Sequence, residues 1–253
     1  MDAQQRSSRF AQRLSPDEAF ELLGPALTVP RSAADVVLAP PLGPGPWPTG
    51  DPAGENPFLH YRQLLWSYEV ARHLGRSDDD YIRLVSELDE AVEAVDGQGF
   101  RVTPLSEEPE LAAALGGFEG RLLVKDETNN VSGSHKGRHL FGLALHLEIL
   151  HRTGTASSHG FRLAIASCGN AALAAAVVAK AIGQTLQVFV PPSAAPSVIE
   201  RLHELEAEVV VSERRQGEIG DPTYRRFLEA VEQGAVPFGC QGPDNGLTLD
   251  GGR

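Results

Sequence analysis

A lysine with small neighbours is the first residue of this sequence whose type and setting could do chemistry. Lys136 lies in the run Ser-Gly-Ser-His-Lys-Gly-Arg, where a loop enters a helical pattern. A lysine amine is nucleophilic only when it is partly desolvated and neutral, and the neighbouring glycines leave room for a flat ring. The alternative is an ordinary solvated lysine at a helix start. A phosphate-binding P-loop is excluded, because the spacing Gly-x4-Gly-Lys-Ser/Thr is absent.

A second polar run directly follows a predicted strand and precedes a predicted helix. It reads Ser167-Cys168-Gly169-Asn170. Small polar residues in such a turn expose backbone N–H groups at the N-terminus of a helix, which makes a site for a carboxylate or a phosphate. The alternative is a structural N-cap, with Asn170 or Ser167 as the capping residue.

The elements that must hold these runs alternate regularly along the chain. Apolar runs predict strands at 121–124, 163–167, 186–190 and 209–211. Helical patterns predict helices at 77–97, 137–150, 171–182, 197–205 and 222–233. Strands that alternate with helices of this length predict βαβ units, a parallel sheet and a three-layer αβα fold of the α/β class. The earlier part differs: residues 39–57 are rich in Pro and Gly and predict a linker, and Ser15 predicts the start of a short helix.

Composition and charge exclude several classes of function. The 34 acidic and 22 basic side chains give a net charge of −12, which argues against a nucleic-acid partner. No stretch approaches the ~20 apolar residues of a membrane span, and we expect no secretory signal. Cys168 and Cys240 have no Cys or His partner at metal-ligand spacing, so we expect no metal site and a reducing, cytoplasmic location.

Together, the two polar runs resemble a known family. The segment 124–136 (VKDETNNVSGSHK) is similar to the cofactor-lysine motif of fold-type-II pyridoxal-phosphate (PLP) enzymes, which share the tryptophan synthase β-like fold. The run 167–171 (SCGNA) resembles their asparagine loop, and Thr103-Pro104-Leu105 matches a tripeptide that often precedes the lysine motif. The segment 244–253 (DNGLTLDGGR) resembles a region near the domain crossover of threonine-synthase-like members. The resemblance covers about residues 56–253.

The resemblance implies a role for each residue. Lys136 would bind PLP covalently and then move the proton at the substrate Cα. Asn170 would hydrogen-bond the phenolic oxygen of the cofactor ring, and His135 would lie near its phosphate. The substrate carboxylate would be held by the three residues before Asn170, which are Ser167, Cys168 and Gly169. We interpret Cys168 as a small packing residue and not as a nucleophile.

The implied activity is that of a PLP-dependent lyase or synthase. It would act on a small amino acid by β- or γ-elimination or replacement, like threonine synthase or threonine dehydratase. The alternative is a non-catalytic remnant of the same fold without tight cofactor binding. A nicotinamide-binding Rossmann domain is disfavoured, because no Gly-x-Gly-x-x-Gly follows a strand.

The resemblance also implies a domain organisation. Residues 1–56 would form an extension and linker, and residues 57–253 the N-terminal part of the PLP-dependent domain, with a small βαβ subdomain at about 138–235. Relatives continue past the position of Arg253, with the glycine-rich loop that holds the cofactor phosphate, so we expect an incomplete second domain. Relatives are commonly dimers, which implies a homodimer for the full-length protein.

Overall fold

A computed structural model describes residues 48–49, 55–116, 120–154, 161–240 and 246–252. The helix predicted at Ser15 and most of the predicted linker lie outside these residues. The strands are β1 (Leu105–Glu107), β2 (Leu123–Lys125), β3 (Arg162–Ala166), β4 (Thr185–Val190), β5 (Glu208–Val211) and β6 (Val236–Pro237). The α-helices of the described residues are α1 (Pro57–His60), α2 (Trp66–His73), α3 (Asp78–Asp96), α4 (Pro109–Ala114), α5 (Lys136–Arg152), α6 (Asn170–Ala181), α7 (Pro196–Glu204) and α8 (Pro222–Glu232). Short 3-10 helices occupy Arg62–Leu64, Val131–Gly133 and Gly246–Gly252.

The main sheet has four parallel strands in the order β5-β4-β3-β6. Because side chains alternate along a strand, Leu163 and Ile165 face the larger core with α6, while Ala164 packs with Phe227 and Ala230 of α8 on the other face. Helices therefore cover both faces of the sheet, and the predicted three-layer αβα architecture is confirmed. The three strands predicted within it are present, each within one residue of its predicted bounds.

The strand order reverses between β3 and β6. The chain adds β4 and β5 on one side of β3 and then returns to place β6 on the other side. In open α/β sheets, ligands bind in the crevice outside the carboxyl ends of the strands at such a reversal. The fold therefore points to the residues that follow β3 and β6.

Helix α5 is the central helix of the larger core. All its residues from Leu140 to Leu150 are buried. The helical pattern of the sequence predicts five of them to face inward, and they are Leu140, Phe141, Ala144, Leu147 and Leu150. It packs against α2, α3, α6 and the segment Gly246–Gly252, so no face of its middle turns is free.

Helix α3 forms as predicted. Ser77 and Asp80 make a capping box at its start, and Gly97 ends it with a φ of 86°.

Strands β1 and β2 form a separate antiparallel pair. The strand predicted at 121–124 is β2, shifted towards Lys125. Its pairing with β1 follows from the chain reversal between them, which the sequence did not indicate.

Within the described ranges, no helix is long and apolar enough to cross a membrane.

Candidate active site

Lys136 is the first residue of α5 and is half-buried. Within the part of the chain that the structure describes, no carboxylate lies within ion-pair distance of its amine. The other two lysines have such partners: the Lys125 amine lies 3.8 Å from Glu127, and the Lys180 amine lies 2.7 Å from Glu206. Among the described residues, Lys136 is therefore the lysine whose amine no carboxylate engages, which leaves that amine free to approach a carbonyl group.

The end of α3 holds the loop that precedes Lys136. The carboxylate of Asp96 accepts a hydrogen bond of 2.9 Å from the Ser132 N–H, and the Gln98 amide donates one of 2.8 Å to the Asn130 carbonyl. Ser132 has a φ of 57°, in the left-handed region that non-glycine residues seldom adopt. Such conformations persist where surrounding contacts fix them, and they are common at functional sites.

Gly137, next to Lys136, lies where a side chain would be crowded. A Cβ atom there would stand 3.0 Å from the Val131 carbonyl oxygen and 3.4 Å from the Phe100 ring. The glycine therefore lets the first turn of α5 lie directly on the loop that leads into it.

The asparagine loop continues β3 into α6. The Ser167 N–H donates to the Phe189 carbonyl at 3.2 Å, which extends the pairing of β3 with β4. Gly169 is the N-cap of α6 and no side chain caps this helix, while Asn170 is its exposed first residue. The capping alternative for Asn170 or Ser167 is therefore wrong. The first-turn N–H groups lack a side-chain acceptor and remain available to an anion.

Two further details concern the space at this loop. A Cβ atom on Gly169 would meet no atom within 4 Å, so open space adjoins the turn. Cys168 is exposed, so its interpretation as a packing residue is wrong. The small residues here leave the backbone accessible instead of filling a core.

The backbone of Lys136 lies near the reversal of strand order, where the asparagine loop also begins. Beyond β6, the chain reaches Cys240, whose Sγ lies 4.0 Å from the Lys136 carbonyl oxygen. Since β6 pairs in parallel with β3, Cys240 and Ser167 emerge at the same edge of the sheet. The 3-10 helix Val131–Gly133 and helix α5 both pack against α6.

The sequence does not indicate that Cys240 lies at the site, because β6 has only two residues and carries little local signal. Burial raises the pKa of its thiol to about 11, although the nearby charge of Lys136 acts in the opposite direction. The thiol is therefore neutral near pH 7 and packs beside the lysine loop without competing as a nucleophile.

A cavity of about 590 Å³ opens on the other side of the first turn of α5. His135, Arg138 and His139 line it at the start of α5, and Phe58 and Tyr61 are part of its apolar wall. Lys136 and Asn170 are not among its lining residues, so their position on facing walls of one cleft stays a prediction. Burial lowers the pKa of His139, only partly opposed by its 2.8 Å hydrogen bond to the Thr248 carbonyl. A neutral His139 therefore donates its Nδ1–H to Thr248.

These features define a class of protein. Lys136 is a half-buried residue whose amine has no acid partner among the described residues. An uncapped helix N-terminus and an open glycine turn follow β3 at the carboxyl edge of the parallel sheet. Such a donor set fits a flat, anionic cofactor that reacts with a lysine amine.

A model of the family described as pyridoxal-phosphate dependent enzyme matches residues 97–240. The match covers more than half of the chain, and the chain belongs to this family, whose cofactor is pyridoxal 5'-phosphate. The matched residues include Lys136 and Asn170.

Solved structures of this fold resemble the chain over about half of their own length. The holo diaminopropionate ammonia lyase of Escherichia coli is 19% identical over 68% of this chain and 45% of that one, with a TM-score of 0.50. The processed threonine deaminase isoform 2 of Solanum lycopersicum is 17% identical over 84% and 48%, with a TM-score of 0.45. The serine racemase of maize is 22% identical over 66% and 46%, with a TM-score of 0.45. A search of the curated proteins returns no match.

Proposed function

We propose that this chain carries the cofactor lysine of an enzyme that acts on a small amino acid by elimination or replacement at the β- or γ-carbon, as threonine dehydratase and threonine synthase do. The observation that carries the proposal is the amine of Lys136. It has no acid partner in the described residues and lies within the segment that the family matches, as does the uncapped N-terminus of α6.

Each site residue has a task in this proposal. When bound, PLP supplies an electron sink for charge that develops at the substrate Cα. The Lys136 amine would hold the cofactor and would act as the base that takes the proton from the substrate Cα. The Asn170 amide would hydrogen-bond the ring oxygen of the cofactor, and His135 would help to hold its phosphate. The Ser167 hydroxyl and the backbone N–H groups of Cys168 and Gly169 bind the substrate carboxylate at the start of α6.

The choice of elimination over other amino-acid chemistry is part of the proposal. The ammonia lyase named above shares a fold with this chain, and at 19% identity the likeness supports no more than that. We also propose a cytoplasmic location, supported by two free cysteines, and a homodimeric full-length enzyme.

Borohydride trapping tests the cofactor lysine. The chain is incubated with PLP at a concentration high enough to offset weak binding, reduced with borohydride and mapped by peptide mass spectrometry. We expect the pyridoxyl label on Lys136, loss of the label in Lys136→Ala and its retention in Lys180→Ala. A label on Lys125 or Lys180 instead would overturn the site, and no label on any lysine would overturn the function.

A substrate panel tests the reaction class. The PLP-loaded chain is incubated with L-threonine, L-serine and 2,3-diaminopropionate, and 2-keto acid is measured over time. Formation of keto acid that is lost in Lys136→Ala supports elimination. A labelled Lys136 without turnover of any amino acid would instead favour the non-catalytic remnant.

A further inference from the structure

The carboxylate of Glu127 is the centre of a mostly buried hydrogen-bond cluster. It accepts hydrogen bonds from the Thr103 hydroxyl at 2.5 Å and from the Asn130 amide at 2.6 Å. The Arg138 guanidinium donates two more, at 3.2 Å from Nε and 3.4 Å from Nη2. The Glu127 and Arg138 side chains are each 16% exposed. Both oxygens of the carboxylate are therefore engaged, and each accepts from the charged guanidinium.

The pair closes a loop in the chain. Glu127 and Arg138 are the two ends of a twelve-residue segment, and Lys136 lies within it, two positions before Arg138. Arg138 also donates to the Arg101 carbonyl at 3.3 Å and to the Thr103 hydroxyl at 3.2 Å. Hydrogen bonds thus join the two ends of the lysine loop to each other and to the segment before β1.

The energetics favour a closed loop. Burial acts to raise the pKa of Glu127, but the hydrogen bonds from Thr103 and Arg138 outweigh it and leave the pKa below its usual range. The carboxylate is therefore charged near pH 7. Opening the loop would separate two largely buried opposite charges and leave the Arg138 guanidinium without a carboxylate partner, which is costly in a protein interior.

We propose that Glu127 and Arg138 are positioning residues, which close the loop that carries Lys136 and so fix the place of its amine beside the N-terminus of α6. The closure of the loop stands on its own geometry, whereas its effect on PLP rests on the proposed function. Both side chains also line the cavity of about 590 Å³, and in this scheme they act through the loop and not by contact with the substrate or the cofactor.

Hydrogen–deuterium exchange of the PLP-free chain tests the closure. In Glu127→Gln, amide exchange at 128–137 should rise about tenfold or more relative to wild type, because charge-assisted hydrogen bonds are lost. Exchange in β4 should stay unchanged. The matched control is Glu204→Gln, which removes an exposed ion pair with Arg201 at 2.8 Å and should leave the loop unchanged. Unchanged loop exchange in Glu127→Gln, or a rise that is uniform along the chain, would overturn the proposal.

A second variant keeps the test decisive if Glu127→Gln does not fold. Arg138→Lys retains the charge but loses the planar fork, and should show a smaller rise in loop exchange than Arg138→Met. Equal effects of the two Arg138 variants would contradict a role for the ion pair.

PLP labelling then separates positioning from mere stability. At matched folded fractions, Arg138→Met should lower the rate of borohydride-trapped labelling at Lys136 by about tenfold, and Arg138→Lys should recover part of it. Equal labelling rates in all three proteins would overturn the positioning role. If PLP labels no lysine even in wild type, the proposed function fails while the exchange experiment still decides the closure.

Discussion

His146 lies in the middle of α5 with 2% of its surface exposed. Neither of its ring nitrogens has a hydrogen-bond partner among the described residues. Burial lowers its pKa to about 4, so the ring is neutral at pH 7. An unpartnered imidazole in the central helix makes the core sensitive to acid, since the folded protein resists its protonation.

The stability of the chain should therefore fall with pH in a defined window. The folded pKa of about 4 lies below the value of 6.5 for a free histidine, so the unfolded chain binds more protons between these values. The free energy of unfolding should drop as pH falls from 6.5 to 4, by up to about 3 kcal/mol. Urea unfolding at pH 7, 5 and 4 measures this loss. His146→Leu should flatten the slope, and the exposed His203→Leu should keep it; equal slopes in all three proteins would contradict the assignment.

Asn170 and Asp221 both lie at the start of a helix, but only Asp221 caps one. The Asp221 carboxylate accepts from the Thr223 N–H at 2.9 Å, whereas Asn170 makes no cap. Asn170→Ala should weaken PLP binding about fivefold, the effect of one neutral hydrogen bond, with unfolding unchanged. Asp221→Ala should do the reverse and lose about 1 kcal/mol of stability. PLP titration and urea unfolding of both variants check this, and a destabilised Asn170→Ala with normal PLP affinity would contradict it.

At the scale of elements, α5 and the segment Gly246–Gly252 approach each other more closely than side chains allow. A Cβ atom on Gly142 would stand 2.7 Å from the backbone nitrogen of Gly251, and one on Gly251 would overlap the Arg138 carbonyl oxygen. The same segment carries Asp250, whose carboxylate accepts from the N–H groups of Trp66 and Ser67 at 2.8 and 3.2 Å. It thereby caps α2 from a distant part of the chain.

Gly142→Ala should destabilise the chain, against the general rule for helices. Replacing glycine by alanine within a helix usually gains about 1 kcal/mol. Here the contact is with backbone, which cannot rotate away, so we expect a loss of about 1–3 kcal/mol. Gly169→Ala is the control for stability, because its Cβ would meet nothing within 4 Å. Thermal unfolding of both variants measures the difference, and a more stable Gly142→Ala would show that the segment is not packed as described.

The elements that the sequence predicted are those with a local signal. Strands β3, β4 and β5 and their helices follow from apolar periodicity, and Lys136 and Asn170 were singled out by motifs. Helix α2 was missed because its cap, Asp250, is 184 positions from Trp66. Strand β6 was missed because pairing with β3, and not residue pattern, defines it. The hydrogen-bond partners of Glu127 were also not predicted, because residues distant in the sequence come together there only in the folded chain.

For the whole molecule, the β1–β2 pair carries apolar side chains that face solvent. Leu105 and Leu123 are 63% and 50% exposed. The register pairs Leu105 with Lys125 and Glu107 with Leu123, so both leucines lie on the same face as diagonal neighbours. Leu111 and Leu115, at 49% and 60% exposed, follow in and just after α4. Monomeric proteins seldom expose large contiguous apolar patches.

The chain should therefore self-associate through the β1–β2 face. Burial of leucines drives the association, while the net charge of −12 opposes it through repulsion between copies. Because salt screens that repulsion, sedimentation velocity should show a larger associated fraction at high protein concentration and at high ionic strength. The double variant Leu105→Lys with Leu123→Lys should be monomeric under the same conditions. Ile219→Lys, which changes a leucine-sized residue that is 80% exposed outside this pair of strands, should associate like wild type. A wild-type chain that stays monomeric at every protein concentration and ionic strength would show that exposure of these leucines does not drive association. Association that persists in the double variant would place the contact on another face.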